Sequence, residues 1–208
     1  MLSVPLCCVA LALAPTLPAA PLPDQPEEAP RAEPAADRGV ERNLRVRAQY
    51  LMPQRHALFG QERDIDIATL NVYHDWQLPL GVTLGATGGV LVAQGELRSP
   101  GQLPRSSNAS GVTAGGVLRI APLRIGPVTP FAEGSIEFLY AFGKAFPAGG
   151  TSVNGFLRWG AGASIAVSRH VAVEAGWQGA HISNGGKEGS YNPGWDGRGP
   201  FLGVSFRR

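Results

Sequence analysis

Near the C-terminus the chain reads AHISNGGKEGSYNPGWD, from Ala180 to Asp196. The stretch holds a histidine, a serine two places on, and a carboxylate beyond a glycine-rich connection. An unaided serine hydroxyl is a poor nucleophile, and an adjacent base that takes its proton activates it. On a strand, residues i and i+2 lie about 6.5–7 Å apart at Cα, side by side on one face. His181 could therefore serve Ser183. A carboxylate on the other ring nitrogen would fix the tautomer and stabilise the imidazolium. Asp196 is the best-placed candidate. Glu188 is the alternative, mid-loop among glycines where a carboxylate is solvated. The Asn184 amide or the Gly186 backbone N–H could receive a developing oxyanion. The chemistry this allows is nucleophilic hydrolysis. Taken alone, His-x-Ser is a weak motif, and the plain alternative is an interfacial histidine and serine wetted by headgroups.

The segment leading into these residues, HVAVEAGWQGAHIS, alternates with period two. Val171, Val173, Ala175, Trp177, Gly179, His181 and Ser183 share one parity; Ala172, Glu174, Gly176, Gln178 and Ala180 share the other. His181 and Ser183 thus fall on the apolar side. Proton chemistry on an apolar face makes sense if that face meets lipid. Val171 to Ser183 spans roughly 40 Å of strand at ~3.3 Å per residue. At a tilt near 40° that is roughly 30 Å of height, against an apolar band of about 25 Å. Ser183 then reaches the external edge of the hydrocarbon, where the ester bonds of an outer-leaflet lipid lie.

The elements that must position it form an all-β pattern. From Leu44 onward eight segments alternate, roughly 44–52, 63–76, 81–94, 110–121, 128–142, 153–167, 170–183 and 199–207. Connections after the first, third, fifth and seventh are long (PQRHALFGQE, GELRSPGQLPRSSNA, GKAFPAGGTS, NGGKEGSYNPGWDGR), whereas those between are short (QLPLG, PLRIGP, SR). Short turns at one end and long loops at the other predict an eight-stranded antiparallel transmembrane β-barrel of the outer membrane. One face of the strands collects Arg45, Arg47, Arg119, Arg158, Glu133, Glu137 and Glu174, while the other carries Trp159, Trp177, Tyr140 and Phe206. A soluble barrel would place its large rings inside. Here the charges go inside, paired with one another as buried charges must be, and they plug a narrow barrel. The rings suit interfacial girdles.

Residues 1–20, MLSVPLCCVALALAPTLPAA, read as a secretory signal peptide: an uncharged apolar run followed by small residues. Cys7 and Cys8 would leave with it, so the mature chain would hold no disulfide, thiol nucleophile or cysteine metal site. Residues 21–43, rich in Pro, Ala and acid, read as a disordered linker. The body, residues 44–208, has fifteen bases against ten acids. That modest excess suits an anionic partner such as phosphorylated lipid and is too thinly spread for nucleic acid. His56, His74 and His170 have no ligand spacing, and no metal or cofactor is implied. Lys187, Arg198 and Arg105 are read as loop charges, able to meet lipid phosphates or simply solvated.

HISN followed by NPG and an acid resembles the signature of the outer-membrane lipid A 3-O-deacylases, the PagL family. The likeness is best over residues 155–208. It implies an eight-stranded barrel whose outward Ser–His–Glu triad cleaves the 3-position ester-linked acyl chain of lipid A. It makes His181 the base, Ser183 the nucleophile and Asn184 an oxyanion contributor, with Asp196 where the family acid stands. This chain departs from the pattern: its acid is Asp and is offset by one residue, Ile182 replaces a common aromatic, and Phe206 lies two places before the end. The leading expectation is a serine esterase acting on lipid A in lipopolysaccharide. The alternative is a non-catalytic small outer-membrane barrel with a structural or adhesive role. An acyltransferase would need an interior slot for a chain, which a charged interior disfavours.

Overall fold

The computed structural model describes residues 41–54, 61–142, 146–186 and 192–207. The expected signal peptide, the expected linker up to residue 40, and His56, Lys187 and Glu188 lie outside the described residues. The barrel strands are β1 (Arg42–Pro53), β2 (Glu62–Gln77), β3 (Val82–Arg98), β4 (Ala109–Ile120), β5 (Val128–Ala141), β6 (Val153–Ala166), β7 (Val171–Ser183) and β8 (Trp195–Arg207). Each pairs antiparallel with its neighbour in sequence, and β8 closes on β1. A two-residue strand, Arg105–Ser106, folds back onto the far end of β3.

Closure fixes the geometry. Met52 on β1 is opposite Arg198, which is opposite Gly179, then Trp159, and so on round to Leu84 and Trp76. Trp76 is opposite Arg42, so one circuit returns to β1 ten residues from where it began. A stagger of ten over eight strands gives a tilt of about 40°, at ~3.3 Å per residue and ~4.8 Å between strands. The end with the short connections is the periplasmic one. Rows of paired residues therefore descend toward the periplasm from β8 through β7 to β6.

Burial alternates along the strands, and the exterior is apolar: Ile136 and Phe138 are 69% and 74% exposed. The interior divides into two layers. Its middle and lower part holds Arg45, Arg47, Arg119 and Arg158 with Asp75, Glu133, Glu137 and Glu174, all buried or nearly so. Arg45 donates to Asp75 and to Glu133 (3.0 Å), Arg47 donates to Glu133 and to Glu174 (2.7 Å), and Arg119 reaches Glu133 (2.9 Å) and Glu174 (2.8 Å). Arg158 pairs with Glu137 and donates to Asn71 (3.0 Å) and Gln49 (3.2 Å). Tyr73 and Phe201 lie 4.2 Å and 4.1 Å from the Arg45 and Arg47 guanidinium carbons, a favourable cation–π spacing. Asp75 joins the network although its parity alone did not single it out.

The upper layer differs from the expectation of a charged plug throughout. Leu51, Ile65, Ile67, Leu91, Leu139, Phe146, Phe156, Ile182 and Trp195 form an apolar core beneath the external mouth. Both layers are filled by side chains, as a barrel this narrow requires.

Removing one member of the buried network leaves uncompensated charge. Glu133→Ala is expected to lower barrel stability by about 3–5 kcal/mol, read from urea unfolding in detergent. The half-exposed pair Arg98–Glu96 supplies the contrast: Glu96→Ala should change stability by less than about 1 kcal/mol.

Candidate functional site

His181, Ser183 and Asp196 all face outward at the external end of the barrel, in the middle range of burial; buried inward residues stand on both sides of His181 and Asp196, and Ile182 precedes Ser183. Sequence placed Asp196 in the last loop. The structure instead begins β8 at Trp195, four residues earlier than expected, so Asp196 lies within the strand. It is the direct cross-strand partner of His181. Its Oδ1 stands 2.8 Å from His181 Nδ1. A carboxylate only accepts, so Nδ1 is the donor in this contact and Nε2 is the ring nitrogen left to face other groups. Direct opposition brings the two Cβ atoms to about 4.5–5.5 Å. A short aspartate spans that distance.

Asp196 is held from both sides. Its carbonyl accepts from the Gln54 N–H at 2.9 Å, and β7 pairs with its other edge. Ser183 is two residues beyond His181 on the same face, opposite Gly155 of β6. Among the described residues no hydrogen bond joins Ser183 to His181.

Beyond β7, Asn184 starts a turn through Gly185 and Gly186, both with positive φ of about 70°. Asn184 Oδ1 accepts from the Gly186 N–H at 3.0 Å, and the Asn184 backbone N–H donates to Asn192 Oδ1 at 3.1 Å. The Gly186 N–H is therefore engaged in this structure. The Asn184 carboxamide is oriented with its oxygen toward Gly186 and its NH2 end the other way. The second contact ties the two ends of the β7–β8 connection together.

The apolar upper core backs the site from inside. Ala180 and Ile182 flank His181, and Trp195 lies next to Asp196; all three are essentially inaccessible. The Trp195 indole N–H donates to the Ile65 carbonyl at 2.9 Å. Its ring lies across Gly197, where a Cβ would stand only 2.2 Å from it. Outside, Gly155 leaves a hollow of about 350 Å3 beside Ser183, lined by Phe138, Val153, Gly155 and Asn184 with Thr151 and Ser152 at its rim. A larger apolar trough, about 790 Å3, runs lower on the lipid face over Gly116 and Gly134 and reaches Leu157, the cross-strand neighbour of His181.

Arg198, expected in a loop, lies on β8 and points outward; Arg105 is exposed in the short strand beside β3. Neither belongs to the His–Asp pair. Among the described residues no group of three or more His, Cys, Asp or Glu is arranged to hold a metal ion.

No protein-family model matches the chain, and no curated protein matches it by sequence. Solved structures do. The crystal structure of the outer-membrane enzyme PagL is similar at 16% identity and a TM-score of 0.53, over 76% of this chain and 97% of that one. The crystal structure of Neisserial surface protein A is similar at 13% identity and a TM-score of 0.49, over 80% and 95%. The solid-state NMR structure of outer-membrane protein AlkL is similar at 12% identity and a TM-score of 0.44, over 88% and 96%. These likenesses are of fold. With its charged interior and apolar exterior, the chain is an integral β-barrel of the Gram-negative outer membrane.

The inner wall carries a measurable load. Trp195→Ala removes a fully buried side chain and is expected to cost about 3–5 kcal/mol in the same unfolding assay. Val173→Ala, on the lipid-exposed face of β7, should cost less than about 1 kcal/mol, because lipid refills the space.

Proposed function

We propose that this protein is a serine esterase of the outer membrane that hydrolyses an ester-linked acyl chain of lipid A from within the outer leaflet. The choice of the 3-position rests on the resemblance to the PagL lipid A 3-O-deacylases. The observation that carries the reading is the 2.8 Å contact between His181 Nδ1 and Asp196 Oδ1, on the outward face that Ser183 shares.

In this reading Asp196 holds the imidazole, and His181 Nε2 takes the proton as Ser183 Oγ attacks the acyl carbonyl. The Asn184 NH2 end receives the oxyanion. The sugar hydroxyl leaves with the proton from His181, and water, activated by the same base, releases the fatty acid from Ser183. The hollow at Gly155 is where the acyl chain would enter, and the separate apolar trough lower on the same face would take its distal part.

One observation favours the second reading, a non-catalytic surface barrel: Ser183 and His181 are not hydrogen-bonded among the described residues. Mass spectrometry of lipid A from outer membranes expressing the protein separates the two. The esterase reading expects loss of one ester-linked acyl group with wild type and none with Ser183→Ala or His181→Ala. Asp196→Ala should reduce the rate by about 10²–10⁴-fold. Gly155→Leu should fold, since a Cβ there meets nothing closer than the Ser183 carbonyl oxygen at 3.5 Å, yet fill the hollow and abolish turnover. Unchanged lipid A in the presence of folded, heat-modifiable wild type selects the non-catalytic barrel.

A further inference from the structure

Arg198 is the next outward residue below Asp196 on β8, in register with Gly179 on one side and Met52 on the other. It is exposed and makes no hydrogen bond or ion pair among the described residues. The nearest carboxylate on its own face, Asp196, is committed to His181. A guanidinium that starts at the edge of the hydrocarbon must reach the headgroup level, where the anions that can pair with it are the phosphates of lipids.

Its height follows from the stagger. Rows descend from β8 to β7 by about 3 Å per strand, and two residues of tilted strand span about 5 Å of height. The Arg198 Cα therefore stands about 2 Å below that of His181, and its long stem carries the charged head upward toward the interface. The downward path is walled. The Trp159 indole lies across Gly179, within 2.8–3.0 Å of where a Cβ would stand. The Ser183 and Arg198 Cα atoms are about 14 Å apart, four residue steps along the strands and one across. Once both side chains reach toward each other, the remaining gap is about the width of one sugar ring.

We infer that Arg198 binds a phosphate monoester carried by the same sugar unit as the ester at Ser183, which makes Arg198 the residue that selects for that phosphate. The spacing argument rests on the esterase reading; the binding claim can be measured without turnover. The planar fork of arginine matches a monoester bidentately, and lysine does not.

The test uses the detergent-folded barrel and native mass spectrometry. Phosphorylated lipid A and its dephosphorylated counterpart are the probes, and phosphatidylglycerol, a phosphodiester, is the competitor. Wild type should retain the phosphorylated form at least roughly tenfold better. Arg198→Gln should bring that ratio to within about twofold of unity, Arg198→Lys should fall between, and Arg124→Gln, at the periplasmic mouth, should match wild type. A ratio unchanged in Arg198→Gln overturns the inference. So does displacement by phosphatidylglycerol as effective as displacement by phosphorylated lipid A itself. Hydrolysis is scored in parallel: phosphate-dependent binding that needs Arg198, without any acyl loss, strikes the esterase reading alone.

Discussion

Four guanidinium groups and four carboxylates share the middle and lower interior of this barrel, and the remaining structure depends on their staying there. Each is hidden from solvent, and Glu133 and Glu174 each accept from three arginines, Arg45, Arg47 and Arg119. Turning any of them outward would place an ion against hydrocarbon. A slip of one residue in a strand exchanges its two faces completely. The network is therefore a parity lock. Glu174 is held inside by Arg47 and Arg119, and with it the odd-numbered residues of β7, His181 and Ser183 among them, are committed to the lipid.

The two layers of the interior divide the work. The charged layer is expensive to break and sets which way each strand faces. The apolar layer above it, capped by Trp195 and Phe156, gives the site strands a dense and largely apolar backing. Site residues alternate with fully buried ones along β7 and β8, so each outward side chain is flanked by inward anchors. This is how an open barrel surface can hold the His181–Asp196 hydrogen bond at its outer rim.

Stagger does for height what the ion network does for direction. Closure with a shift of ten residues tilts the rows, so neighbours on adjacent strands sit at different depths in the bilayer. Asp196 stands above His181, and Arg198 lies nearly level with it although it is two residues further down its own strand. Charged and polar groups thus gather near one plane, where ester, sugar and phosphate of an outer-leaflet glycolipid also lie, while Trp159 and Leu157 fall below it into the hydrocarbon.

Alternation is a local property, and most of what depends on it was legible in the chain: eight strands, the charged side of five of them, the long and short connections, and the outward parity of His181 and Ser183. Cross-strand register is not local. Which residue of β8 opposes His181 depends on closure of the entire sheet, so only the folded barrel decided that Asp196 belongs to a strand and that its short side chain suffices. The register of β1 on β2 likewise brought Asp75 to Arg45 across 30 positions, and closure gathered apolar residues from most of the strands into one upper core. The Gly186 N–H was spent on Asn184 by a turn whose hydrogen bonds no residue pattern announces. The physical reason is common to all of these. A strand's own period says which way a side chain points, and only the packing of distant segments says what it meets.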